Sequence, residues 1–315
     1  MQTVSRNVVE AVQGLWRDVP ADRILSAMQG ETGAQILRAV TVGQLTAAEG
    51  AQAFVSASMV AQGAMAAPLG TVDASALVGV AMDGRPLATL MYQPAITTAH
   101  ALALGESPEM AALRGLNQMA MLTSTTITDT ARTATSVAMT AHPRCKGYTR
   151  VVHLPACARC VVLAGRVYSH STGFRRHPRC DCGMAPYADT TSPQTPDPAA
   201  LFGQMTPEEQ RRRLGAAGVK ALEQGADLNR VVNARRGLST VGDRTTTTEG
   251  TTKRGIGAGA AQNQFEKKPG VRFGTETAAR DRLKQTRLMP GAIFDLAGGD
   301  RARELALLKQ HGYIK

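Results

Sequence analysis

Two short runs, CARC at 157–160 and HPRCDC at 177–182, constrain what this chain can fold into more than any other feature. Cys157 and Cys160 have the spacing with which two thiolates on a tight turn converge on one tetrahedral ion. Seventeen residues beyond Cys160, His177, Cys180 and Cys182 supply three more donors. Zinc takes four ligands, so one of the five is surplus or stands behind the ligands. If residues 180–182 are extended, Cys180 and Cys182 point to the same face and both can ligate. His177 with one of them is equally feasible. The set favoured by the residues is Cys157, Cys160 and His177 with either Cys180 or Cys182. A site filled by four protein ligands has no open position, so the zinc it implies is structural. HPRC also occurs at 142–145, but Cys145 has no matching pair nearby. The repeat therefore reads as coincidence and Cys145 as an ordinary thiol.

Catalytic patterns are sparse. H-E-x-x-H is absent, so a metalloprotease is disfavoured. The Asp-His pair that precedes a strand in zinc-knuckle nucleases is missing as well. No G-x-S-x-G occurs among the residues, and SHS at 169–171 resembles a serine-protease site in composition only. No run of about 18 apolar residues exists to cross a membrane. The first twenty residues, broken by Arg6, Glu10, Arg17 and Asp18, do not read as a secretory signal. The expectation is synthesis in a cytoplasm, where thiols stay reduced and metal is preferred over disulfides.

The rest of the chain reads as mainly α, α+β overall. Aromatic residues make up 4% and Ala, Gly and Thr are abundant, which suits Ala-rich helices better than a bulky sandwich. ILSAMQGETGAQILRAV has helical spacing weakened by Gly30 and Gly33. Thr46, with Glu49 three residues on, reads as the capping box of the next helix. Pro94 is expected to precede a helix that ends at Gly105. Ser107-Pro108-Glu109 starts a long one, with Met110, Leu113, Leu116 and Met119 on its apolar face. YTRVVHL is strand-like, and VVLAGRVYSH reads as strand, turn and strand. Thr206-Pro207-Glu208-Glu209 is a strong helix start, ADLNRVVNARRG a short helix, and ETAARDRLKQTRLMP and DRARELALLKQHGYIK the last two, the final one capped by Asp300.

These signals divide the chain into a helical region 1–140, a zinc-binding core 141–189, a linker 190–200, a helical segment 201–237, a flexible Thr/Gly-rich arm 238–270 and C-terminal helices 271–315. Charge follows the division. Residues 1–140 carry 7 Lys/Arg against 10 Asp/Glu, a net of −3, whereas residues 141–315 carry a net of +14. A polyanion near the second half is the expectation. Lys253-Arg254 and Lys267-Lys268 are its best candidates, because Arg211-Arg212-Arg213 reads as a solvated helix face.

The segment GYTRVVHLPACARCVVLAGRVYSHSTGFRRHPRCDCGMAPY resembles the zinc-binding core of MuF-like minor capsid proteins, the head morphogenesis proteins of tailed phages, in the version found in phages of actinobacteria. Asp181 stands where other members often have Arg. DTAR at 129–132 and the stretches flanking the core fit the family more weakly. The resemblance implies a non-enzymatic minor virion protein made in the host cytoplasm. It would assemble at or near the portal, meet major capsid or scaffold proteins, and sit inside the head. The basic C-terminal half would contact packaged DNA, and no membrane is involved. Two alternatives stand beside this reading: a capsid maturation protease, and a DNA-binding zinc module.

Overall fold

The structure, a computed structural model, describes residues 2–250 and 287–314. It is mainly α, with two small antiparallel sheets of three strands each among the described residues. The chain forms two compact units, Met1–His153 with Gly165–Thr195, and Leu154–Ala164 with Pro196–Lys315.

The first unit begins with helices α1 (Gln2–Arg17), α2 (Ile24–Gln29), α3 (Glu31–Glu49), α4 (Ala51–Ala61), α5 (Leu87–Ala103) and α6 (Pro108–Ala141). Val12, Trp16, Ile24, Met28, Ile36, Val40, Leu87, Met91, Met119 and Ile127 form its apolar core. Ser107 caps α6 by accepting from the Met110 amide at 3.3 Å, with Pro108 in the first turn, as the sequence predicts. The helix runs 34 residues without a break. Its apolar face starts later than expected: Met110 and Leu113 are exposed, whereas Gly115, Met119, Thr123 and Ile127 are buried. At Gly115, α5 and α6 approach so closely that a Cβ would overlap Thr98 Oγ1 and Trp16 Cζ2.

Three local expectations are corrected. Thr46 does not cap a helix. It lies inside α3, its hydroxyl donates to the Val42 carbonyl at 3.0 Å, and the break comes at Gly50. Pro94 does not precede a helix but sits buried within α5, where packing against α6 outweighs the lost amide donor. Val161 is not a strand residue: it ends the short helix α7 (Ala158–Val161), which follows Cys157.

After α6 the first unit continues with strands β1 (Cys145–Val151), β2 (Val167–Ser169) and β3 (Gly183–Ala188), ordered β2-β1-β3. Thr149 pairs with Val167 on one side and Ala185 on the other. Lys146 is the extra residue at a bulge between Cys145 and Gly147.

The second unit holds α7, then α8 (Pro198–Gly203), α9 (Pro207–Leu214), α10 (Ala216–Glu223), α11 (Leu228–Ala234), the sheet of β4 (Leu238–Val241), β5 (Arg244–Thr247) and β6 (Arg287–Leu288), and helices α12 (Pro290–Ala297) and α13 (Arg301–Gln310). Thr206 and Glu209 form the predicted capping box on α9, and Asp300 caps α13. The first residues of the segment read as an arm pair as the β4–β5 hairpin. The arm from residue 251 onward, with Lys253-Arg254 and Lys267-Lys268, lies outside the described residues, as does most of the helix expected at ETAARDRLKQTRLMP. His311 is buried in this unit. Its Nδ1 accepts from the Leu288 amide at 3.2 Å, and Arg287 lies over the ring of Tyr313 at 4.6 Å.

Candidate metal centre

Both HPRC copies form the same kind of turn. In each, the cysteine amide donates to the histidine carbonyl, at 3.0 Å for Cys145–His142 and 3.1 Å for Cys180–His177. Pro143 and Pro178 supply the fixed φ that the second turn position favours. The two differ at the third position. Arg179 has φ of 61°, the left-handed geometry of a type II turn, and it is the one non-glycine residue with positive φ among the described residues. Its amide donates to Thr125 Oγ1 at 3.2 Å and its Nη2 to the Asn117 carbonyl at 3.0 Å, so α6 holds the turn. Pro143 and Arg144 instead lead directly from α6 into β1, and the Cys145 thiol donates to the Gly147 carbonyl at 3.6 Å. Burial pushes that thiol's pKa up.

The five predicted donors come together as two overlapping groups. Cys157, Cys160 and His177 form one, and Cys160, Cys180 and Cys182 the other. Within each, all ligand atoms lie within 4.8 Å of one another. None of the cysteines is in a disulfide. Cys160, Cys180 and Cys182 are buried, while Cys157 and His177 are half-buried. Cys157 caps α7: its sulfur accepts from the Cys160 amide at 3.3 Å, which fixes the Cys-x-x-Cys turn. The His177 ring places Nδ1 at 2.7 Å from the Pro178 carbonyl. A carbonyl only accepts, so in this bond Nδ1 carries the hydrogen, and Nε2 is the nitrogen left to face a metal. Cys145 belongs to neither group.

Sequence reasoning did not assign the cations around the sulfurs. Arg132 on α6 forks over the loop: Nε and Nη2 donate to the Cys182 carbonyl at 2.8 and 2.6 Å, and Nη2 also to the Cys180 carbonyl at 2.7 Å. Nη2 lies 3.7 Å from the Cys180 sulfur. Arg150 on β1 places Nη2 at 3.6 Å from the Cys180 sulfur and 3.5 Å from that of Cys182. Asp129 orients Arg132 through a 2.8 Å ion pair and also pairs with Arg176. Phe174 closes the arrangement, with the Arg150 guanidinium 4.3 Å and that of Arg132 5.2 Å from its ring centre.

This donor set fits a thiophilic divalent ion. Three thiolates and an imidazole around such an ion leave one unit of negative charge, and four thiolates leave two. Two buried guanidiniums donating towards the sulfurs offset that charge. The only hint in the sequence was an Asp and an Arg three residues apart amid Ala and Thr, and an Arg in mid-strand two residues from Tyr148.

At SHS, the Ser169 and Ser171 hydroxyls lie 3.3 Å apart, while His170 Nδ1 is buried without a hydrogen-bond partner. No Ser–His relay forms there.

Residues 87–207 match the family model described as VG15 protein, a phage gene family, which points to a phage-encoded protein. No curated protein matches the chain, and no solved structure matches it. The matched span holds α5, α6, the β2-β1-β3 sheet and all five donors. No helix among the described residues is long and apolar enough to cross a membrane.

Proposed function

We propose that this chain is a structural, non-enzymatic minor head protein of a tailed phage, of the MuF-like kind, whose central module is folded around one zinc ion. The observation that carries the reading is a coincidence of position: the phage-family match and the five converging donors fall on the same segment. Zinc is the ion that this many thiols and one imidazole favour at a four-ligand site. Cys157, Cys160 and His177 with Cys180 or Cys182 would hold it. With every position taken by protein it would act as a staple and would activate no water. In this reading the protein joins the procapsid at or near the portal, meets capsid or scaffold proteins, and stays inside the head, its basic second half near packaged DNA.

Two measurements test the reading. Elemental mass spectrometry of the chain purified without chelator is expected to give one zinc per chain. Single Cys→Ser or His→Ala changes at 157, 160, 177, 180 and 182 should abolish it in four of five cases. Wild-type protein without metal would end the zinc assignment. Quantitative mass spectrometry of purified virions is expected to find the chain in heads, still present after tail removal. A chain made during infection but absent from procapsids and virions would end the head-protein assignment.

A further inference from the structure

Between Asp129 and Asp181 the chain has nine Lys and Arg residues and no acidic one. The structure sorts these cations by task. Arg132 and Arg150 are buried against the cysteine loop. Arg144 pairs with Asp189, and Arg176 with Asp129. Lys146, Arg166, Arg175 and Arg179 remain exposed in the same unit, and among the described residues none of the four pairs with a carboxylate. Exposed cations that a fold leaves without acids are the electrostatic signature of a polyanion contact.

Arg166 is placed by an aromatic cluster. Tyr148 and Tyr168 stack at 5.2 Å, and Phe174 packs on both, at 6.2 and 5.9 Å. The Arg166 guanidinium lies 5.8 Å from the Tyr168 ring. Arg175 directly follows Phe174 in the chain. Arg166 therefore lies against the three-ring cluster, and Arg175 is the chain neighbour of one of its rings. Lys146 lies three residues along β1 from Thr149, the partner of Val167, which places it about 10 Å along the strand from the Arg166 end of β2. Arg179 is held by the left-handed turn and its bonds to α6. Cations held on rigid supports lose little freedom when they bind.

We infer that the exposed cations Lys146, Arg166, Arg175 and Arg179 of this unit contact the phosphate backbone of DNA without reading sequence. This rests on the phage-head reading above for the choice of DNA over another polyanion. It also moves the contact from the arm at 238–270, where sequence alone put it, to the module that carries the cysteines. Lys and Arg meet phosphates as charges without reading bases, so affinity should come from charge and counterion release.

The test is fluorescence anisotropy of the full chain on a random-sequence 30-bp duplex over a range of salt concentrations. The variants are R166Q/R175Q, the charge-keeping R166K/R175K, and K253Q/K267Q in the arm, each checked for metal content and melting temperature. Four phosphate contacts predict a slope of log K against log salt of about −3.6, and removing two lowers its magnitude by about 1.8. R166Q/R175Q is expected to bind at least about tenfold more weakly at low salt with that reduced slope, while R166K/R175K and K253Q/K267Q stay near wild type. Wild-type binding by R166Q/R175Q, a lost slope in K253Q/K267Q instead, or no DNA binding by the wild-type chain would each overturn the inference. None of these results bears on whether the chain is in virions, so the two proposals fail separately.

Discussion

Arg132 is the residue on which the cysteine loop hangs. It is buried, it satisfies two carbonyls of the loop, and it neutralises a buried carboxylate. Replacing it with Met leaves buried Asp129 with Arg176 as its one remaining ion-pair partner among the described residues, and both carbonyls short of a donor. We expect a loss of about 3–5 kcal/mol in urea unfolding. Arg179 offers a second test. A β-branched side chain is strained at φ of 61°, whereas glycine is at ease there. Arg179→Val should therefore unfold about 1–2 kcal/mol more easily than Arg179→Gly, although both lose the same bond to Asn117. Equal stabilities would show that the turn bears no strain. At this scale the sequence revealed the donors and hid their supports. Cysteine spacings are local and a reader can count them. The partners of Arg132 and Arg150 lie 50 and 32 residues away, and only the folded chain brings them near.

Caps and stops were the most legible parts of the elements. Ser107, Thr206 and Asp300 all bond the amides predicted for them, because a cap needs nothing beyond its own first turn. Thr46 and Pro94 misled for the opposite reason: tertiary packing carried α3 and α5 through residues whose local chemistry argues for a break. The contact of α5 with α6 can be tested at Gly115. Gly115→Ala forces the helices apart at Thr98 and Trp16, and a loss of about 1–3 kcal/mol is expected despite the better helix propensity of Ala. A gain in stability would mean that the approach is looser than described. Just past α13, His311 gives a pH test. Burial, with the Arg287 charge adding to it, pushes its pKa down from 6.5 to about 4. Protonation would also put a hydrogen on the nitrogen that accepts the Leu288 amide. The unfolded chain takes up the proton near pH 6.5 and the folded one only near 4. The His311 contribution is therefore complete above about pH 6.5 and is lost as pH falls to about 4, a change of about 3 kcal/mol. A His311→Gln variant should show a flatter stability profile across that window, and an unchanged profile would remove His311 as its source.

At the scale of the molecule, metal removal is the broadest test. A chelator is expected to lower the melting temperature by at least about 5 °C and to raise the number of thiols that react with a disulfide reagent, with zinc restoring both. The charge asymmetry between the halves was plain in the composition, but its use was not, because composition cannot separate Arg150, spent inside, from Arg166 and Arg175 outside. One feature of the first unit also shapes how the chain is made. Its helices α1–α6 come from residues before 142, yet its loop and third strand come from residues after 164. Arg132 leaves the ribosome 50 residues ahead of the Cys182 carbonyl that it must hold. At about 5–20 residues per second, the nascent helix waits roughly 3–10 s with its guanidinium fork unfilled. Docking of the HPRC loop ends that wait, so translation arrested before Cys180 should leave a helical body whose lock has not yet been synthesised.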